Sequence, residues 1–195
     1  MRLYDSRGLR KYLTAQERGD FLRVAATGPE RVHTLCATLA HTGCRVSEAL
    51  GLTAARVDLG DGVLIFESLK KRRRGIYRAV PVPPSFLRCL DRVHGVSEAH
   101  RRADRGAGVL LWPWSRATAW RRVCEVMDAA GIAGIHATPK GLRHGFGIHA
   151  VASTVPLHMT QKWLGHAQIS TTSIYADAVG PEERQLARRM WEEGL

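Results

Sequence analysis

Read from its far end, the chain carries Leu164-Gly165-His166 and then, nine residues after the histidine, Tyr175 at the close of Thr171-Thr172-Ser173-Ile174-Tyr175. Two arginines stand in tight contexts upstream, Arg45 in Gly43-Cys44-Arg45-Val46-Ser47-Glu48 and Arg143 in Lys140-Gly141-Leu142-Arg143-His144. A basic run from Lys70 to Arg74 lies between them. Guanidinium groups hold phosphate oxygens through paired N–H donors, lysine and histidine move protons, and a phenol can attack phosphorus. These are the parts needed to open a phosphodiester with a protein nucleophile and no metal.

Each part also has a plainer explanation. Thr138 suits an N-cap and Pro139 a first helical residue, so Lys140 and Arg143 fall in the first turn of a helix and, three apart, on one face. The helix dipole disfavours cations there, so the pair suits a bound anion, or else a solvated basic patch. Arg45, set between apolar helices, reads as partly buried and in need of a phosphate or acidic partner; Glu48 is the candidate for a structural ion pair. Lys70, Lys71, Arg72, Arg73 and Arg74, at a hairpin tip, could track a phosphate backbone or enter a groove, or form a solvated loop. Taken singly, His166 fits a core or capping histidine and Tyr175 an aromatic of an amphipathic helix. Their joint occurrence, in this order and spacing, carries the catalytic reading.

These side chains need a scaffold, and composition says what kind. The 195 residues, 45% hydrophobic, suit one domain with a sizeable core, and exclude disorder. Twenty-nine Lys and Arg against 18 Asp and Glu give a net charge of +11, which favours a polyanionic partner: nucleic acid or an anionic membrane. No apolar run approaches the ~20 residues that span a bilayer, and Met1 to Arg7 does not lead into a signal-peptide core, so no membrane partner is expected. Cys36, Cys44, Cys89 and Cys124 are scattered, and the nine histidines show no ligand spacing, so neither a metal nor a cofactor is expected. Reduced thiols in a cytoplasmic protein are the expectation.

A helix begins at the capping box Thr14-Ala15-Gln16-Glu17, and a second runs from about Glu30 to Thr42, stopping at Gly43. Residues 62–67 and 76–82 read as strands, with Pro81 and Pro83 placing the second at a sheet edge or near its end. Helices are expected at about 84–93, 115–130, 139–153, 156–164 and 181–192, and residues 94–108 read as a mobile loop. The fold class is mainly α with a small antiparallel β-sheet (α+β): a basic lead-in over 1–13, then a single domain over 14–195.

The pattern resembles the catalytic domain of tyrosine recombinases, the phage-integrase family, and more distantly type IB topoisomerases. The resemblance rests on Thr42 to Leu50, the hairpin from Leu69-Lys70-Lys71 through Arg78-Ala79-Val80-Pro81, Lys140 to Phe146, Leu164-Gly165-His166, and Thr171 to Tyr175. It covers nearly the whole chain from about residue 12.

What the resemblance implies is the DNA breaking-rejoining fold and a reaction on double-stranded DNA without metal or ATP. Tyr175 would form a 3′-phosphotyrosyl link, Arg45 and Arg143 would hold the non-bridging oxygens, and His166 would hydrogen-bond the phosphate. Lys70, in preference to Lys71, would protonate the leaving 5′-oxygen, and the surrounding cations would favour the Tyr175 phenolate. Lys140 occupies the place of the second-motif acid/base residue, where most recombinases have histidine and some poxvirus-type topoisomerases have lysine. A C-terminal helix carrying Leu186, Met190 and Trp191 would pack in cis or dock on a neighbour in a tetramer on DNA. The family usually has an N-terminal clamp domain, yet only thirteen residues precede the first helix here: a fragment, or a short enzyme that binds DNA from one side. A type IB topoisomerase-like nicking-closing enzyme and an inactive DNA-binding regulator are the alternatives.

Overall fold

The computed structural model describes residues 3–68, 75–102, 108–166, 168–175 and 187–188. The Lys70–Arg74 run lies outside them, as does the helix expected over 181–192 but for residues 187–188.

Local signals build the first helices. Helix α1, Ala15–Thr27, starts at the Thr14 capping box, with both reciprocal bonds to Glu17 made. Helix α2, Glu30–Thr42, ends at Gly43, whose φ of 60° is the left-handed stop that glycine takes without strain. A short α3, Val46–Leu50, follows, capped by Arg45. A 3-10 turn, Ala54–Arg56, leads to β1, Val57–Asp58, a two-residue strand that sequence periodicity does not announce. Strands β2, Val63–Glu67, and β3, Tyr77–Pro81, complete an antiparallel sheet in the order β1-β2-β3. The second expected strand thus lies at the edge and ends on Pro81. Alternation turns Leu64 and Phe66 of β2 inward, opposite Val80 and Arg78 of β3. Pairing continues past β2, since Ser68 N–H donates to the Ile76 carbonyl at 2.8 Å.

Helices α4, Pro84–His94, α5, Val96–Arg101, and α6, Arg116–Ala129, come next. Helix α5 corrects the expectation of a loop over 94–108. Val96 is fully buried, the Asp91 carboxylate accepts from Ser97 N–H (2.7 Å) and Ser97 Oγ (2.6 Å), and His100 Nε2 bonds the Ala54 carbonyl at 2.8 Å. Residues 103–107 lie outside the described part. Helix α7, Pro139–Ala152, is capped by Thr138 with Pro139 in its first turn, and α8, Leu157–Leu164, and α9, Ser170–Ser173, follow.

The main core forms around α2, with Leu35, Leu39, Leu52, Leu64, Trp112 and Leu142 all buried. A smaller cluster, Leu3, Tyr12, Phe146, Ile148, Leu164 and Tyr175, covers the far side of α7. The lead-in belongs to this second layer: Leu13 N–H donates to the Gly141 carbonyl at 3.2 Å, fastening it across α7. Among the described residues no helix is long and apolar enough to cross a membrane.

Candidate active site

Four of the residues singled out by spacing come together where α2, α7 and α8 meet. Arg143 points inward from α7 and is only 5% exposed. Its Nη1 donates to the Gly43 carbonyl (2.6 Å) and its Nη2 to the Leu164 carbonyl (2.8 Å). Among the described residues it has no carboxylate partner. Burial, reinforced by Arg45, lowers its pKa to about 10. A guanidinium held only by carbonyls keeps its charge uncompensated, and an anion arriving at its open side is the natural complement.

Arg45 stands at the N-cap of α3, half-buried. Its Nη1 meets Glu48 Oε1 at 2.7 Å, while its backbone N–H donates to Glu48 Oε2 at 2.9 Å. The structural ion pair is therefore present, and it engages one edge of the guanidinium only. Glu48 is also shared with Arg78 of β3, at 2.6 Å. Burial raises the Glu48 carboxyl, and Arg78 and then Arg45 more than reverse it, leaving its pKa below the usual carboxylate value.

Tyr175 is 1% exposed, and among the described residues its hydroxyl has no hydrogen-bond partner. The His166 ring stacks on it at 6.2 Å between centroids, and the His144 ring meets it edge-on at 5.9 Å. The phenol lies over Gly147 of α7, where a Cβ would come within 2.5 Å of the ring. Burial raises the Tyr175 pKa to about 12, outweighing the downward pull of Arg143 and Arg45. This corrects the expectation of a favoured phenolate: in this seat the cations are close enough to act but desolvation wins.

His166 is held by Thr172, Nδ1 to Oγ1, at 2.9 Å. Burial, then Arg143 and Arg45, lower its pKa to about 3, so the ring is neutral at pH 7. In the tautomer where the Thr172 hydroxyl donates to Nδ1, Nε2 carries the hydrogen and can donate to an oxyanion.

Lys140 stands at the rim of this cluster, near enough to His144 to lower that ring's pKa. It is exposed on α7 while Arg143 turns inward, so the two cations expected on one face differ in depth. Lys70, Lys71, Arg72, Arg73 and Arg74 lie outside the described residues. Beside His166, between β3 and α8, opens a cleft of about 320 Å³ whose lining includes Arg78, His158 and Lys162 but no acid.

Four contributors escaped sequence reasoning. Thr172, three before Tyr175, orients His166. His144, next to Arg143, is fully buried with both ring nitrogens unpartnered among the described residues, and burial, then Lys140 and Arg143, lower its pKa to about 4. Gly147 gives the phenol its seat. Arg78, an arginine at an inward position of a strand, is the one whose signal was visible: charge on a buried face needs a partner.

Comparison with known proteins agrees with this geometry. The chain matches the phage integrase family over residues 11–180, and it belongs to that family. It is 32% identical over 158 residues to the tyrosine recombinase XerD of Mycobacterium leprae, covering 74% of this chain and 47% of that protein. The chain thus spans about half the length of that curated relative. Two solved structures share the fold. A crystal structure of XerA recombinase superposes with a TM-score of 0.74 at 24% identity, covering 92% of this chain and 64% of that one. The XerH site-specific recombinase bound to its difH substrate, a pre-cleavage complex, gives 0.72 at 20% identity, covering 96% and 59%.

Proposed function

We propose that this chain is the catalytic domain of a site-specific DNA recombinase that cuts and rejoins double-stranded DNA through Tyr175. The observation that carries the reading is the convergence of Arg45, Arg143 and His166 on one buried phenol, joined by a carbonyl-held guanidinium that lacks an anion. The Tyr175 oxygen attacks the scissile phosphorus while Lys140, as the base, takes its phenol proton, and the 5′-oxygen leaves, giving a 3′-phosphotyrosyl link and a free 5′-hydroxyl. Arg45 and Arg143 hold the two non-bridging oxygens as charge builds in the pentacoordinate state, and His166 donates from Nε2. The hairpin lysine Lys70 protonates the leaving oxygen, with Lys140 as the second proton carrier. The new bond keeps the energy of the old one, so rejoining by another 5′-hydroxyl needs neither ATP nor a metal.

Net charge +11 and the acid-free cleft beside His166 support a phosphate-backbone partner. In the reading's fuller form the protein is cytoplasmic and works as a tetramer on paired sites, joined through the C-terminal helix.

Tyr175 itself is chemically inert as seated, with a pKa near 12. DNA must therefore draw it from its seat or bring phosphate and base to it.

The test uses a DNA duplex nicked beside the cleavage point, carrying the cognate site, in chelator. Wild type is expected to become covalently attached at a 3′ end, and Tyr175→Phe to bind without attachment. Binding with no attachment by wild type would favour the inactive regulator instead. Lys140 favours one further reading, nicking and closing without a site, which relaxation of arbitrary supercoiled plasmid would reveal.

A further inference from the structure

Arg78 is the third arginine of the site, and none of the roles above uses it. It enters from β3 opposite Phe66 and is 7% exposed. Its Nη2 donates to Glu48 Oε2 at 2.6 Å and its Nε to the Trp163 carbonyl at 2.7 Å. Glu48 in turn holds Arg45 by side chain and backbone. The next carbonyl after Trp163, that of Leu164, accepts from Arg143, whose other donor reaches Gly43, two residues before Arg45.

The bonds close a ring: Arg45, Glu48, Arg78, Trp163-Leu164, Arg143, Gly43 and back along the chain. Gly165 lies flat on the Arg78 guanidinium, where a Cβ would stand 3.0 Å from Nη1. His166 follows directly.

A buried arginine-carboxylate pair is a poor stabiliser, since apolar side chains of equal volume fill such space as well or better. What the pair does supply is position. Arg78 occupies Oε2 of Glu48, which leaves Oε1 for a single edge of Arg45. Without Arg78 the carboxylate could turn and take Arg45 by both edges, drawing it from the phosphate. Arg78 is also the ring's one member on the sheet.

Resting on the recombinase reading, we propose that Arg78 is a positioning residue for phosphoryl transfer. It fixes the aim of Arg45 through Glu48 and the placement of His166 through Trp163 and Gly165.

The test compares the full chain with Arg78→Met, Arg78→Lys and the double variant Arg78→Met/Glu48→Gln. In the free proteins, arginine side-chain NMR follows hydrogen exchange of the Arg45 guanidinium, which is expected to slow ~10-fold or more in Arg78→Met as Glu48 takes both of its edges. On the nicked duplex, covalent capture by Arg78→Met is expected to slow ~100-fold with DNA affinity changed less than ~3-fold. Its acid limb should move to higher pH, because Glu48 loses the larger of its neighbouring charges. A merely loosened fold would not produce that shift. Arg78→Lys should recover capture to within ~10-fold of wild type, since an ammonium can still meet Glu48. The double variant should be no slower than Arg78→Met, the two residues acting as one unit.

Unchanged Arg45 exchange, or capture within ~3-fold of wild type, overturns the proposal. If wild type never captures DNA, the recombinase reading fails and Arg45 exchange alone decides. Should Arg78→Met not fold, Arg78→Gln is read in its place by the same two limits.

Discussion

Arg143 and Tyr175 are buried side by side and secured in opposite ways. Around Arg143 the donors end on carbonyls and a carboxylate, through Gly43, Leu164 and Glu48, with Arg78 Nη1 the exception that has no partner among the described residues. Around Tyr175 the contacts are ring faces and a glycine groove, and among the described residues the phenol oxygen and both His144 nitrogens have no partner. Each such orphan costs ~1–3 kcal/mol relative to a satisfied group. On the proposed recombinase reading the phosphate grip is set before any DNA arrives, whereas the candidate nucleophile is held by apolar contact and stands to gain from leaving its seat.

The contrast is open to attack at both ends. The largest effect should come from Arg143→Gln, which empties the preset half: covalent capture should slow ~10³-fold, and wild-type capture rates in this variant would remove Arg143 from the grip. Next comes pH. The folded-state pKa of His144 lies near 4, below its unfolded value, so its contribution to stability is intact above pH ~6.5 and is lost as pH falls from there toward 4. By pH 4 the loss is ~3 kcal/mol, and urea unfolding of His144→Phe should show a pH slope shallower by one proton. An identical slope would mean the ring is not held neutral beside Tyr175.

The smallest effects separate two glycines of one helix. At Gly141 a Cβ would lie 2.0 Å from the His136 carbonyl, which is backbone, so Gly141→Ala should lower stability by ~2 kcal/mol or more. At Gly147 the nearest atoms belong to the Tyr175 ring, a side chain that can swing away, so Gly147→Ala should lower it by ~1 kcal/mol. Spectrophotometric titration of that variant should then show the Tyr175 phenol ionising nearer ~10 than in wild type. Equal losses, with the titration unmoved, would erase the distinction between a fixed and a movable half.

What was legible in the sequence was mostly local. The Thr14 box, the Gly43 stop, the Thr138-Pro139 start of α7 and the two main strands are written in adjacent residues, and all appear. Motif spacing brought Arg45, Arg143, His166 and Tyr175 onto one list, and the fold brings them to one place. What escaped depends on distance and depth. Arg78 meets Glu48 across thirty residues of chain, a separation that no window reveals. Helix α5 hid because Gly95 signals a stop, while Val96 and the Asp91 carboxylate that restart the chain only matter once α4 is in place. Tyr175 lies deeper than its place near the chain end suggested, and its expected ionisation is reversed, since burial is decided by the cluster of Phe146, Leu164 and Ile148 around it.

Gly43 is where these two kinds of information fuse. The same residue that halts α2 also offers its carbonyl to Arg143 and lets Phe146 and Leu164 close in to 2.5 and 2.8 Å of where a Cβ would be. Asparagine, the usual understudy for glycine at a helix end, could make the turn and would still be evicted by its neighbours. One position therefore carries punctuation, packing and ligand geometry at once, and a chain that drifts there loses all three together.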